Sequence, residues 1–337
     1  MKGCTDGDQG EFGLIRAIRE RVEERLGVIK GIGDDAAILQ PPQGEMLLTI
    51  DMLIEGVHFD LRYFDAFRLG RKCIGVSLSD IAAMGGRSLY SVVSLGLREG
   101  LGREFVLELY RGMEDQASRW QVSIVGGDTV KSPGPLVIDV AVVGEGARPL
   151  TRGGARPGQH IGVTGHLGLS AAGLGLLQRG VDPQRCLPHE AEAIRRHLEP
   201  VPRCEAGLAL AGIEGVTACI DISDGLSSEV NHICDESKVG AVIEAERLPI
   251  CTAAHRVAAH LGVDALELAL SGGEDYELLF TFDPEAEEEV IEALSATGTP
   301  MTVIGKVLEQ GQGRWLVKDS HRRPLLMTGF DHFRRDG

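Results

Sequence analysis

Four segments of this chain combine acidic residues with glycine in a way that sets them apart. The segments are Gly31-Ile32-Gly33-Asp34-Asp35, Gly126-Gly127-Asp128-Thr129, Asp221-Ile222-Ser223-Asp224-Gly225 and Gly272-Gly273-Glu274-Asp275-Tyr276. Asp51 and Asp80 add two more carboxylates associated with apolar runs. Glycine allows tight turns and close approach of the backbone to a ligand. Carboxylates grouped at such turns are hard oxygen donors suited to Mg²⁺. The pattern points to a site for a polyphosphate held by several metal ions.

The net charge of −16 sharpens this reading. A surface so negative repels nucleic acid and anionic membranes. Aromatic residues are only 4% of the chain, so base-stacking platforms are not expected either. ATP would be repelled as well unless bound cations invert the local field. An anionic substrate therefore requires Mg²⁺ or a local basic clamp. None of the seven cysteines forms a C-x-x-C pair, and their number is odd, which argues against a zinc site and a disulfide framework. Reduced thiols in the cytoplasm are the expectation. Met1–Asp6 lacks the apolar core of a signal peptide, and no apolar run approaches membrane-spanning length.

A length of 337 residues predicts two domains. The Gly/Pro/Arg stretch over 144–158 is the expected boundary, giving domains 1–148 and 149–337. Phe12, Ile15, Ile18, Val22 and Leu26 recur at helical spacing and predict one helix over 11–26. Further helices are expected over 69–84 and 103–120, with strands over 46–51, 90–97, 122–125 and 136–144. The second half predicts strands at 160–164, 217–220, 240–245 and 276–282 and a final pair. Its helices are expected near 169–179, 189–198, 203–212, 226–236, 252–261, 264–270 and 284–296. Alternating elements place both halves in the α/β or α+β class.

Each acid also has a plainer reading. Asp34 and Asp35 could cap the element after their turn, but two adjacent acids cannot both cap one helix. No strand is predicted before them and a third glycine is absent, so this is not a dinucleotide fingerprint. Asp51 ends a predicted strand, where aspartate is often a turn residue. Asp80 sits in an apolar helix beside Ile81, Ala82 and Ala83. It either faces solvent or is compensated by a cation, because an unpaired buried carboxylate is costly. The 126–129 segment is expected to follow a strand and cradle phosphate with backbone N–H groups. Ser223 or Asp224 could cap a helix, which leaves Asp221 unexplained. His58 follows Gly56 in an expected loop and could touch phosphate or serve structure. Arg152 could clamp phosphate or be a solvated loop residue. Tyr110 could line a base pocket or fill the core. No Walker loop, kinase catalytic loop or G-x-S-x-G elbow is present.

Taken together and in order, these segments resemble the thiamine-monophosphate kinase family of the aminoimidazole ribonucleotide synthetase-like superfamily. The matching stretches are Gly10–Phe12, Gly31–Ala37, Asp51–Phe59, Leu78–Gly85, Gly126–Thr129, Leu150–Gly154, Asp221–Leu226, Ser271–Leu278 and Gly329–Phe333. The resemblance implies an N-terminal ATP- and Mg-binding domain that dimerises through its sheet, and a C-terminal α/β domain closing the site. It implies ATP-dependent conversion of thiamine monophosphate to thiamine diphosphate, the last step in making that cofactor. It places Mg²⁺ at Asp35, Asp51, Asp80, Asp128, Asp221 and Asp224, with Asp34 and Thr49 as further candidates. ATP falls to Gly127, Asp128, Arg152, Ser223 and Tyr110, and thiamine monophosphate to His58, Glu274 and Phe330. Ile50 stands where the family usually has a hydroxyl residue, so only its carbonyl could ligate metal. No side chain is needed as acid or base, because a phosphate nucleophile is largely dianionic at neutral pH. Direct in-line transfer in a homodimer follows from the same resemblance. The rivals are another ATP-dependent member of the superfamily, a cyclo-ligase or a maturation factor, and a non-catalytic nucleotide-binding module.

Overall fold

The computed structural model describes residues 11–330, 332 and 333. These fall into two compact units. One runs to Ile81 and resumes over Arg87–Ala147; the other comprises Ala82–Gly86 and the described residues from Arg148 on.

The first unit contains α1 (Glu11–Arg19), β1 (Val28–Lys30), β2 (Ile38–Leu39), β3 (Glu45–Ile54), α2 (Ala66–Ala83), β4 (Arg87–Leu97), α3 (Arg103–Arg119), β5 (Ser123–Lys131) and β6 (Val137–Gly146). A four-stranded sheet has the order β3-β6-β4-β5, and β1 and β2 form a separate ribbon. β6 is antiparallel to both β3 and β4, whereas β4 and β5 run parallel. Side chains alternate across a strand. On β3 this buries Leu47 and Leu53 and leaves Met46, Leu48, Ile50 and Met52 between 55% and 68% exposed. α2 lies against the buried face, where the Ser77 hydroxyl reaches the Val140 carbonyl at 3.4 Å. α2 and α3 touch backbone to backbone. A Cβ on Gly70 would stand 2.0 Å from the Leu109 carbonyl oxygen, and one on Gly112 would stand 1.9 Å from that of Phe67.

Two expectations fail here. The first helix ends at Arg19 rather than continuing to Leu26, and Leu26 is 93% exposed. The cause is tertiary. The Arg25 N–H donates to Ser123 Oγ at 3.0 Å, and its guanidinium donates to the Val122 carbonyl at 2.5 Å and pairs with Glu114. These bonds pull the chain out of helical register. β5 also extends well past Val125, through Gly126–Thr129, because those residues pair with Val92–Leu95 of β4.

The second unit contains β7 (His160–Thr164), α4 (Leu169–Gln178), α5 (Pro188–Leu198), α6 (Cys204–Ala211), β8 (Val216–Asp221), α7 (Leu226–Ser237), β9 (Gly240–Glu244), α8 (Thr252–Leu261), α9 (Ala265–Ser271), β10 (Leu278–Phe282), α10 (Glu287–Ala296), β11 (Met301–Leu308), β12 (Arg314–Lys318) and β13 (His321–Pro324). Three strands close the unit, not the expected two. The sheet order is β13-β12-β9-β11-β7-β10-β8, and β12 with β9 is its parallel pair. The architecture is therefore α+β with a mostly antiparallel sheet. β10 is buried throughout because both faces are covered. Leu279 packs with Val230 of α7 and Leu266 of α9, while Phe280 and Phe282 pack with Leu210 of α6 and Val290 of α10.

Close helix packing makes Gly112 intolerant of even one methyl group. Gly112→Ala should lower stability by about 1–3 kcal/mol, the usual range for overpacking. An unchanged urea midpoint would show that α2 and α3 can separate freely.

Candidate active site

In the first unit a cavity of about 550 Å³ joins the 31–37 segment to α3 and β5. Asp34, Asp35, Tyr110, Gly127 and Asp128 all line it. The 31–37 segment links β1 to β2, so a short strand does precede it, contrary to expectation. Asp34 receives the Asp35 N–H at 3.1 Å and sits 3.6 Å from Lys30 Nζ. Gly127 is required by close approach, since a Cβ there would lie 1.9 Å from the Val93 carbonyl oxygen. The 126–129 segment lies inside β5 rather than in a turn following a strand. What the segment offers the cavity is the exposed Asp128, whose Oδ1 accepts the Thr129 N–H at 2.8 Å. Tyr110 is 3% exposed yet borders the cavity, so it fills the core and faces the space at once. Burial pushes its hydroxyl pKa up.

A second acidic group lies on the helix-covered face of the same sheet. Thr49 Oγ1 donates to Asp80 Oδ2 at 2.5 Å, tying β3 to α2. Asp51 faces the same way, and its Oδ2 is buried without a hydrogen-bond partner. Burial raises the Asp51 pKa to about 6; the charge of Asp80 adds to this, a Ser77 hydrogen bond opposes it, and Asp139 adds a further rise. Asp80 thus belongs to a group of like charges, and the solvent-facing alternative loses its force. Ile50 is not part of this group: strand alternation sends its side chain to the opposite, 64% exposed face. Asp139, an acid the sequence reading missed, pairs with Met52 and Ser94 and so stands on the opposite face of the sheet, reaching Asp51 only through its charge. Its only cue was a single carboxylate inside the apolar run Val137–Val143.

Mg²⁺ fits these donors. Among the described residues no three His, Cys, Asp or Glu side chains converge on one metal position. Mg²⁺ is commonly bound by one or two carboxylates, with phosphates and water completing its shell. The unpartnered Asp51 oxygen beside Asp80 has the donor chemistry that such a site would need.

His58 follows β3 in a loop. Its Nδ1 accepts the Ile54 N–H at 3.0 Å, and its carbonyl accepts from the buried Lys72 Nζ at 3.1 Å. Nδ1 is thereby committed to the fold.

In the second unit three distant segments are fastened together. The Glu274 N–H donates to the Ser223 carbonyl at 2.7 Å, Tyr276 N–H to Ile222 at 2.9 Å, and Phe330 N–H to Asp224 at 3.1 Å. Asp221, Ser223, Asp224, Glu274 and Phe330 are thus held on one small framework. Arg152 joins it, because its carbonyl accepts from Ser237 at 2.8 Å and the Thr151 carbonyl receives the Cys219 N–H at 3.1 Å. The expected Ser223 or Asp224 cap is not formed. α7 begins after Gly225, at φ +116°, with no side-chain cap. Instead Glu229 Oε1 accepts the Asp224 N–H at 3.0 Å. Burial lifts the Glu229 pKa to about 7, and the charge of Arg152 is among the influences holding it down. Glu277 anchors the framework from below, gripped by Arg196, by Arg203 Nε at 2.6 Å and by Thr164 at 2.7 Å.

The Asp51 shift sets a pH dependence. The folded state binds this proton more tightly than an unfolded aspartate titrating near 3.8. Stability of the metal-free protein therefore falls as pH rises from about 4 to about 6, by on the order of 3 kcal/mol, and stays reduced above that. With EDTA present, Asp51→Asn should raise the urea midpoint at about pH 7.5, and the gain should vanish near about pH 4. Equal midpoints at the higher pH would contradict the proposed strain.

Comparison with known proteins accords with this geometry. Residues 33–146 match the family of AIR synthase related proteins, N-terminal domain, and residues 156–318 match the corresponding C-terminal domain family. The thiamine-monophosphate kinase of Bacillus subtilis is 36% identical over 96% of this chain and 99% of its own length. The crystal structure of thiamine-monophosphate kinase from Stenotrophomonas maltophilia is 34% identical, covers 94% of this chain and 98% of that one, and superposes with a TM-score of 0.82. AaThiL complexed with AMPPCP and TMP is 35% identical, covers 99% of this chain and 100% of that one, and gives a TM-score of 0.77. Both domains in order, and identity sustained from end to end, mean that this chain belongs to the thiamine-monophosphate kinase family of AIR synthase related proteins.

Proposed function

We propose that this chain transfers the γ-phosphoryl group of ATP directly to the phosphate of thiamine monophosphate, forming thiamine diphosphate and ADP. The observation that carries the reading is its end-to-end likeness to AaThiL complexed with AMPPCP and TMP. The cavity and the fastened framework add to it, because they gather the acids and glycines of the ordered segments. In the first unit, Tyr110, Gly127 and Asp128 are assigned to ATP and His58 to the substrate phosphate. In the second, Arg152 and Ser223 are assigned to ATP, and Glu274 and Phe330 to the thiamine moiety. Phe330 is 50% exposed and offers a ring face to a cationic heterocycle.

A phosphomonoester has a second pKa of about 6, so its oxygen is already a nucleophile at neutral pH. That oxygen bonds to the γ-phosphorus as the bond to the β,γ-bridging oxygen breaks, and ADP leaves with the electron pair. No general base is required, and the residues act by positioning. Mg²⁺ held by Asp35, Asp51, Asp80, Asp128, Asp221 and Asp224, with Asp34, Thr49 and the Ile50 carbonyl as further donors, would neutralise the approaching phosphates. Chiral-phosphate analysis should show inversion, whereas retention would mean a phosphoenzyme.

The row Met46, Leu48, Ile50 and Met52 is an apolar sheet face open to solvent, which supports a homodimer formed through this sheet. The six described cysteines are free, in keeping with a reducing cytoplasm. Among the described residues no helix is long and apolar enough to cross a membrane.

Incubation with ATP, Mg²⁺ and thiamine monophosphate should yield thiamine diphosphate, read by fluorescence after oxidation. EDTA and Asp128→Asn should each abolish it. Nucleotide binding with no such product would move the assignment to a sister activity in the superfamily.

A further inference from the structure

Glu274 is constrained far more than a surface glutamate needs to be. Its backbone adopts φ +63°, a region that non-glycine residues seldom occupy. It is pinned there from both sides. Gly273 abuts the Ser223 carbonyl so closely that a Cβ would stand 2.3 Å from its oxygen, and the buried Asp275 accepts the Gly168 N–H at 2.7 Å. Only the side-chain torsions remain to be set. His197, near the end of α5 and 2% exposed, places Nδ1 3.1 Å from Glu274 Oε2. Ser170 Oγ, buried in α4, lies 3.3 Å from the same nitrogen. An ionised carboxylate only accepts, so with Glu274 ionised this contact requires the proton on Nδ1. The Glu274 side chain stays 23% exposed. One of its oxygens is thus anchored inward while the side chain keeps contact with solvent.

We propose that His197 is a positioning residue for substrate recognition, holding the Glu274 carboxylate in the one orientation that receives the N–H donors and positive charge of the thiamine heterocycles. The inference rests on the assignment of Glu274 to the thiamine moiety. Without the imidazole, a glutamate must lose side-chain freedom each time substrate binds. His197 touches no reacting atom, so its loss weakens recognition of one substrate and not the other.

The test compares the full-length wild type with His197→Phe, His197→Asn, Glu274→Gln and the Glu274→Gln/His197→Phe double variant. The Phe variant keeps the ring and removes the donor; the Asn variant restores an N–H near the Nδ1 position. A hydrogen bond to a charged group corresponds to roughly 10- to 100-fold in affinity. His197→Phe should raise KM for thiamine monophosphate by about that factor, with KM for ATP within about 2-fold of wild type. His197→Asn should recover most of the loss. The double variant should be no worse than Glu274→Gln alone, as expected for two residues acting through one contact. If His197→Phe proves insoluble, His197→Leu, which also lacks the donor, and its double with Glu274→Gln carry the same comparison. A parallel rise in both KM values, or penalties that multiply in the double variant, would overturn the inference and leave the kinase reading intact. Wild-type protein without thiamine monophosphate turnover would refute the kinase reading, and this inference with it.

Discussion

Glu277 is the residue on which the second unit's site depends. It is wholly buried, and burial alone would drive its carboxyl pKa up. The Arg203 hydrogen bond and the charges of Arg196 and Arg203 overcome that, and hold it below the ordinary carboxylate range. Its backbone carbonyl meanwhile accepts the Ile222 N–H at 2.8 Å. One residue therefore ties β10 to the chain leaving β8 and brings two arginines in from α5 and the loop before α6. The Glu274–Ser223 and Phe330–Asp224 backbone bonds are built on that junction. Removing one member of such a buried group leaves uncompensated charge, which is why buried pairs are far costlier to break than to replace whole.

The buried acids sort by whether the protein supplies their counter-charge. Glu277 has two arginines. Asp275 has backbone amides from Gly168 and Ser170, although burial still lifts its pKa to about 7. Asp51 has a second and a third carboxylate for neighbours and one oxygen with no partner. An acid left in that state weakens the fold unless something outside the chain compensates it. The division separates acids whose charge the chain itself compensates from one that it leaves uncompensated, and it does so without reference to any relative.

Much of the architecture was legible because apolar periodicity is a local property. α3 and β7 fall where periodicity and β-branched runs put them, and α2 is only extended at its start. The failures came from contacts distant in sequence. α1 stops short because Arg25 is claimed by Ser123, Val122 and Glu114, roughly a hundred residues away. Gly126–Thr129 reads as a turn by composition but is strand, because β4 offers it a ladder. Asp139 and His197 gave almost no signal, since one acid in a strand and one histidine in a helix are ordinary. A period of two sends the Ile50 and Asp51 side chains to opposite faces, so Ile50 can reach the acidic face only through its backbone.

The order of acidic and glycine-bearing segments, the polarity of the chemistry they allow and the family all follow from the amino-acid sequence itself, because residue type sets charge, donor hardness and backbone freedom. Which acids become neighbours was decided only by tertiary structure. Asp51 meets Asp80 because β3 lies against α2, and Glu274 meets His197 because the loop leading into β10 is tied to α4 and α5 through Asp275 and Arg196. Carboxylate chemistry is written residue by residue, but its strength depends on burial and on distances of a few ångströms, and those exist only once the chain has folded.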